Sequence, residues 1–241
     1  WRNIGGVVNP KNNTITVPFR GFGYYRVMYM DRSFDDVIGH SWARDFLDTL
    51  YSKGIMLNKT PMSFMPNDAI TRGEFATLLV KIFDIPLNYD GEPTFSDVPK
   101  SFRDFSNPAN PLYDYRYIET AARAGIVRGT ILGRFNPNST ITRQDAAVMI
   151  AQAAELKLNS DGNRVLQSLQ KMFTDANSIE LYARPAVEAV VKAGLMSGKE
   201  NVLLPGQTKP TYRFDPRDTM TRAEAAAIAI EVLKKNKVIP K

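Results

Sequence analysis

The chain has 241 residues, 44% of them hydrophobic and 10% aromatic, enough to build a core without staples. It carries no cysteine, which excludes disulfides, thiolate catalysis and Cys-ligated metals. With 31 Lys plus Arg against 25 Asp plus Glu, the net charge is +6 and the pI about 9.4, which favours an acidic partner: a wall polymer, a nucleic acid or an anionic surface. No apolar run approaches the ~18 residues of a membrane span. The chain starts at Trp1 without a Met or an apolar leader, and is expected to be a fragment or a processed product.

Residues 1–33 read as β. Ile4 to Val8 and Thr14 to Phe19 flank a turn-rich Asn9-Pro10-Lys11-Asn12-Asn13, and Tyr24 to Met30 is rich in aromatic and branched residues. We expect a β-rich tail of a preceding domain, or a short sheet packed on the helical remainder of the chain.

From Phe34 the texture is helical and an internal repeat emerges. Each unit begins with Phe-x-Asp, at Phe34 to Asp36, Phe95 to Asp97 and Phe173 to Asp175. An aromatic then heads a first helix, Trp42, Tyr113 or Tyr182, each twelve residues before a glycine, Gly54, Gly125 or Gly194, that ends it as a left-handed cap. Four residues after that cap, Gly129 and Gly198 are read as a second turn, with Asn58 in their place in the first unit, as Asn can serve where φ is positive. Phe64-Met65-Pro66, Phe135-Asn136-Pro137 and Phe214-Asp215-Pro216 follow. Next come Thr71-Arg72-Gly73-Glu74, Thr142-Arg143-Gln144-Asp145 and Thr221-Arg222-Ala223-Glu224, preceded by Ile70, Ile141 and Met220. Thr with an acid three residues on is a capping box or a near variant of it, opening second helices over 71–83, 142–156 and 221–236. Their inward residues shrink from Phe75 and Leu79 to Ala146 and Ala147, then Ala225 and Ala226, which predicts that the three helices meet at a shared centre. The second unit carries an insertion at Ser101 to Asn110, and an extra helix is expected from Arg164 to Met172. The third unit has twenty-eight residues from Gly to Arg where the others have eighteen, an excursion around Gly198 to Pro210.

The Arg of each box stands at the first helical position, where the helix dipole disfavours a cation by a few tenths of a kcal/mol. Three such residues ask for an anionic partner. Two guanidinium N–H donors match the two oxygens of a carboxylate, and exposed amides of the helix start would add donors. The competing reading has each Arg salt-bridging the Asp of a Phe-x-Asp element and locking adjacent units together. The aromatics could equally be core, the Asp residues helix caps, and the glycines caps alone.

This constellation resembles the S-layer homology family, whose repeats carry Phe-x-Asp-Val, a Trp-Ala helix start, Gly-Ile-x-x-Gly, Phe-x-Pro and Thr-Arg-Ala-Glu; the resemblance covers residues 34 to about 236. It implies a mainly α fold, a pseudo-threefold bundle of three helix-loop-helix repeats over 34–88, 89–158 and 159–241 that form a single domain, behind the β segment 1–33. It implies a non-catalytic, extracellular anchor in the wall of a Gram-positive-type bacterium, binding a secondary cell-wall glycopolymer, typically a pyruvylated amino sugar, in grooves between repeats. Carried over by position, Arg72, Arg143 and Arg222 would meet the ligand carboxylate, and Asp36, Asp97 and Asp175 would accept from sugar hydroxyls. Trp42, Tyr113 and Tyr182 would line the grooves, and Gly54, Gly125 and Gly194 would let the sugar approach the backbone. Departures are the single Trp, Asp145 in place of Glu, the missing Val after Asp175 and the long excursion; the first unit follows the pattern best. No cofactor, metal, nucleic acid or membrane insertion is implied, and other surface-layer subunits are the alternative partner.

Rival functions have less support in the residues. An enzyme would have to work with one histidine, His40, and no nucleophile, metal-ligand or phosphate-loop motif. A nucleic-acid binder would need a basic recognition helix, and the box helices carry no such stripe. A protein assembly module without glycan binding is the remaining alternative.

Overall fold

The structure is a computed structural model and describes residues 6–17, 19, 21–28, 33–104, 106, 111–131, 133–203 and 205–239. Each box opens a helix by the Thr half of the expected cap: Thr71, Thr142 and Thr221 accept from the amides of Glu74, Asp145 and Glu224 at 3.1–3.2 Å. The reciprocal half forms only in the third unit, where Glu224 Oε2 accepts from the Thr221 amide at 2.8 Å. The acids of the other two boxes are used elsewhere.

A pair of strands, β1 (Val7–Asn9) and β2 (Thr14–Thr16), comes first. The expected hairpin is there in shorter form, with Ile4 outside the described residues. Lys53 Nζ ties it to the helices by donating to Gly6 O at 2.9 Å. The strand expected over Tyr24 to Met30 is not formed at 24–28, and 29–30 lie outside the described residues. Among the described residues no strand pairs with this stretch.

Helices follow in order: α1 (Asp35–Ile38), α2 (Arg44–Ser52), α3 (Arg72–Ile82), α4 (Tyr115–Arg123), α5 (Arg143–Ala153), α6 (Gly162–Met172), α7 (Arg184–Lys192) and α8 (Arg222–Lys235). The fold is mainly α, as expected. The excursion of the third unit carries a short ladder, β3 (Lys199–Glu200) against β4 (Tyr212–Arg213). The insertion at 101–110 lies partly outside the described residues.

The units are wound together cyclically. Each second helix packs on the first helix of the next unit: α3 on α4, α5 on α7, and α8 back on α2. α3 also packs on both α5 and α8, where small residues such as Ala146, Ala147, Ala225 and Ala226 are fully buried. At the centre a ring of backbone hydrogen bonds closes the circle. Ile70 N–H donates to Met220 O at 2.9 Å, Met220 N–H to Ile141 O at 3.0 Å, and Ile141 N–H to Ile70 O at 3.3 Å. All three side chains are fully buried.

The Phe-x-Pro loops join the same circle. In each unit the middle residue has positive φ, at Met65 (62°), Asn136 (55°) and Asp215 (53°), a conformation that costs a non-Gly residue on the order of 1–3 kcal/mol. The Asp of Phe-x-Asp holds it, because its two oxygens accept from two successive loop amides. Asp36 takes Phe64 and Met65 at 3.1 and 2.7 Å, Asp97 takes Phe135 and Asn136 at 2.9 and 2.7 Å, and Asp175 takes Phe214 and Asp215 at 2.8 and 2.8 Å. Asp97→Ala leaves both amides without their charged acceptor, and is expected to lower unfolding free energy by about 3 kcal/mol. Urea denaturation checks this; a loss below about 1 kcal/mol would refute the anchoring role.

Gly54, Gly125 and Gly194 have φ of 66°, 71° and 63° and cap α2, α4 and α7. The second-turn glycines have a different cause from the positive φ expected of them. Gly129, Gly198 and their counterpart Asn58 are absent from the positive-φ residues. A Cβ on Gly198 would lie 2.5 Å from the Phe173 ring and 2.9 Å from Arg213 O, and one on Gly129 2.8 Å from Arg134 O. Space, not φ, makes these two positions glycine.

Candidate functional site

Because the helices interleave, the box of one unit faces the Phe-x-Pro loop of the next. The first two amides of each box helix are consumed there. Arg72 and Gly73 donate to Ser139 and Pro137 carbonyls, Arg143 and Gln144 to Asp218 and Pro216, and Arg222 and Ala223 to Asp68 and Pro66, all at 2.8–3.0 Å. With the third amide on the Thr hydroxyl, the helix start has no such donor left for a ligand, which corrects the sequence expectation.

The arginine side chains lie across the same junctions. Arg72 donates from Nε to Phe135 O (3.1 Å) and from Nη2 to Arg128 O (3.2 Å); Arg143 donates to Phe214 O and Ser197 O, both at 2.8 Å. Arg222 donates from Nη1 to Phe64 O and from Nη2 to Leu57 O at 2.5 Å. Each guanidinium stacks on the fully buried ring of that loop, its carbon 4.9 Å from Phe135, 5.1 Å from Phe214 and 4.4 Å from Phe64. The arginines thus do lock neighbouring units, through carbonyls and not through the Phe-x-Asp carboxylates, which are occupied by amides. At Arg72 and Arg143 two nitrogens are used in this way, and the Nη1 hydrogens with one on Nη2 form an edge that fits two carboxylate oxygens, already faced at Arg143 by Glu224. Burial lowers the pKa of both groups from the ordinary arginine value, against the pull of nearby acids.

The sequence-predicted residues come together in sets drawn from all three units. They do not group unit by unit: Trp42 of the first, Arg143 of the second and Gly194 of the third line one groove of about 330 Å³, with Leu195 to Lys199 and Glu224. Tyr182 likewise stands at the second box, donating from its hydroxyl to Asp145 at 2.7 Å, near Arg72. Tyr113 lies against the first box, beside Glu74, in the corner that Arg222 enters. Neither unit-by-unit matching nor helical periodicity could have shown this exchange, which is set by the cyclic order.

The three corners differ in openness. Trp42 is 52% exposed and Tyr182 60%, whereas Tyr113 is 4% exposed. The Tyr113 ring rests directly on Gly73, where a Cβ would come within 2.5 Å of it, and its hydroxyl donates to Asn138 Oδ1 at 2.9 Å. Burial pushes its pKa up to about 12. Lys81 reaches across the same corner to Gly54 O and Ile55 O at 3.0 and 3.3 Å. Arg222 itself is 0% exposed and paired through Nε with Glu74 at 2.8 Å. This corner is filled by its own side chains.

Around Arg143 the field is mixed. Glu224 lies 3.6 Å from Arg143 Nη1 and 3.5 Å from Lys199 Nζ, and Lys199 also has Asp215 and Asp218 at 3.7 and 3.6 Å. Sequence reasoning missed Lys199, because the acids it meets, Asp215, Asp218 and Glu224, lie far along the chain from it. His40 packs edge-on against Trp42, centroids 5.0 Å apart, and shares a hydrogen bond with Asn67 at 3.0 Å. Among the described residues no cluster of three His, Asp or Glu is arranged to hold a metal ion, and no helix is long and apolar enough to cross a membrane.

A closed ring of three helical repeats, with corners shared between units and an exposed aromatic at two of them, defines a repeat-built module. The S-layer homology domain model matches residues 33–76, 109–147 and 173–226, more than half of the chain, which belongs to this family. The chain is 31% identical over 237 residues to an amylopullulanase of Thermoanaerobacterium thermosulfurigenes, spanning 98% of this chain and 11% of that protein. It is 29% identical to an endoglucanase of a Bacillus species, over 84% of this chain and 19% of that protein, and 27% identical to an S-layer protein of Bacillus licheniformis, over 81% and 19%. The chain therefore spans less than a fifth of these relatives. It is a cell-surface anchoring module associated with the cell wall.

Proposed function

We propose that this module is non-catalytic, that its three repeats act as one domain, and that it holds a surface protein to an anionic secondary cell-wall polymer by binding acidic, pyruvylated amino sugars at the corners of Arg72 and Arg143. The observation that carries this is the pair of corners where a largely buried guanidinium presents a donor edge beside an exposed aromatic, Tyr182 or Trp42; among the described residues no carboxylate lies within 4.0 Å of the edge at Arg72, and Glu224 shares it at Arg143. A charged edge and an aromatic face are the two features a carboxylated sugar offers partners for. Gly125 and Gly194, at positive φ with no side chain, keep the approach to backbone clear. The Asp36, Asp97 and Asp175 carboxylates contribute by shaping the loops that the arginines grip. Arg222, Tyr113 and Gly54 serve cohesion between the third, second and first units.

The purified protein is expected to pellet with wall sacculi and to stop doing so once the secondary polymer is stripped; equal binding to bare peptidoglycan would overturn the reading. Arg72→Ala is expected to weaken binding to isolated polymer by about tenfold to a hundredfold, the loss of a charge-assisted contact of about 1.5–3 kcal/mol. The measurement is calorimetry alongside thermal melting, and a large drop in Tm with unchanged affinity would assign Arg72 to cohesion alone.

A further inference from the structure

The three boxes are Gly73-Glu74, Gln144-Asp145 and Ala223-Glu224 after their shared Thr-Arg, and the two variable residues decide what happens to the arginine that arrives from the preceding unit and to the aromatic from the following one. Glu74 meets Arg222 at 2.8 Å and Glu224 stands 3.6 Å from Arg143. Asp145, one methylene shorter, meets no arginine within 4.0 Å among the described residues. Its two oxygens are held by the Thr142 hydroxyl at 2.7 Å and the Tyr182 hydroxyl at 2.7 Å. Arg72, at 9% exposure, is left with carbonyl partners and no carboxylate within 4.0 Å among the described residues, and Asp145 acts on it only from further away.

The neighbouring box position acts in the same direction. Gln144 is buried, donates from Nε2 to the Tyr182 hydroxyl at 3.2 Å and accepts from the Glu180 amide at 3.1 Å. Tyr182 is thereby held at the rim by two side chains of the second box. In the first box Gly73 offers no side chain at all, and Tyr113 has dropped onto it.

Resting on the glycan reading above, we infer that Gln144 and Asp145 are positioning residues that make the Arg72 corner the module's strongest carboxylate site: Asp145 is too short to neutralise Arg72, and the pair holds Tyr182 open beside it. The Arg143 corner is weaker for the same ligand, because Glu224 already lies between Arg143 and Lys199 and repels an incoming carboxylate. The Arg222 corner takes none. A substitution that looks like a defect in a capping box is on this view what leaves the site available.

The test uses the full chain and, as probes, the methyl glycoside of a pyruvate-ketal N-acetylhexosamine and its methyl ester, titrated by calorimetry. Wild type is expected to prefer the acid over the ester. Asp145→Glu restores the reach of the other boxes and is expected to weaken the tightest binding by about tenfold, with Tm unchanged or higher. Asp145→Asn, of native length and still an acceptor for Tyr182, is expected to stay within about threefold of wild type. Should Asp145→Glu bind like wild type while Arg72→Ala loses the ligand, the glycan reading stands and the role of Asp145 is wrong. Wild type that fails to distinguish acid from ester overturns both.

Discussion

Arg222→Ala is expected to lower the free energy of unfolding by about 3–5 kcal/mol, the range for breaking a buried ion pair from one side. The guanidinium is fully buried, so its removal strands Glu74 among apolar neighbours and leaves the Phe64 and Leu57 carbonyls without their donors. It also opens a void above the Phe64 ring, which it covers at 4.4 Å. The double variant Arg222→Met with Glu74→Leu removes both charges and fills the space, and is expected to recover a large part of the loss, since buried pairs can be replaced by apolar residues at little cost. Urea denaturation of Arg222→Met, Glu74→Leu and the double variant forms a double-mutant cycle, with Arg222→Ala measured alongside. A single-variant loss below about 1 kcal/mol would show that this corner is not holding the first and third units together. Binding to wall polymer, measured on the folded fraction, is expected to persist.

Ending the chain after Leu158 is expected to abolish cooperative unfolding altogether. In a linear repeat array, removing a terminal unit costs one interface. Here two are lost: α8 leaves α2 without its partner, and α7 leaves α5 without its own. Two of the three central hydrogen bonds vanish with Met220, and Arg143 loses both of its carbonyl acceptors, Phe214 and Ser197. Differential scanning calorimetry checks this against the full chain; a sharp transition in the shortened one would mean that two units make a domain by themselves.

Much of the architecture was legible because it is local. The box helices expected over 71–83, 142–156 and 221–236 are found at Arg72–Ile82, Arg143–Ala153 and Arg222–Lys235, since a Thr cap and an apolar period depend on neighbouring residues alone. The extra helix expected from Arg164 to Met172 starts two residues earlier, at Gly162, capped by Asp161. Partner choice was not legible. Periodicity says that Phe75 and Ala146 face inward, and nothing in it says which unit supplies the opposing surface. The Phe-x-Asp carboxylates are expected at sugar hydroxyls, at helix starts or against the box arginines, yet they serve amides some thirty to forty residues away, in a loop whose positive φ falls on Met65, Asn136 and Asp215, three unlike side chains with no common signature. The reason for Gly73 is equally remote from its own box, since it lies in the Tyr113 ring that rests on it from another unit.

The ring of Ile70, Ile141 and Met220 has a mechanical side. A row of units can be unzipped from whichever end takes a load. A ring has no outermost unit. Force entering at one terminus reaches a junction whose neighbours are already engaged with each other and with it, so the contacts are expected to resist together. The central hydrogen bonds are few, but each one closes the circuit for the other two.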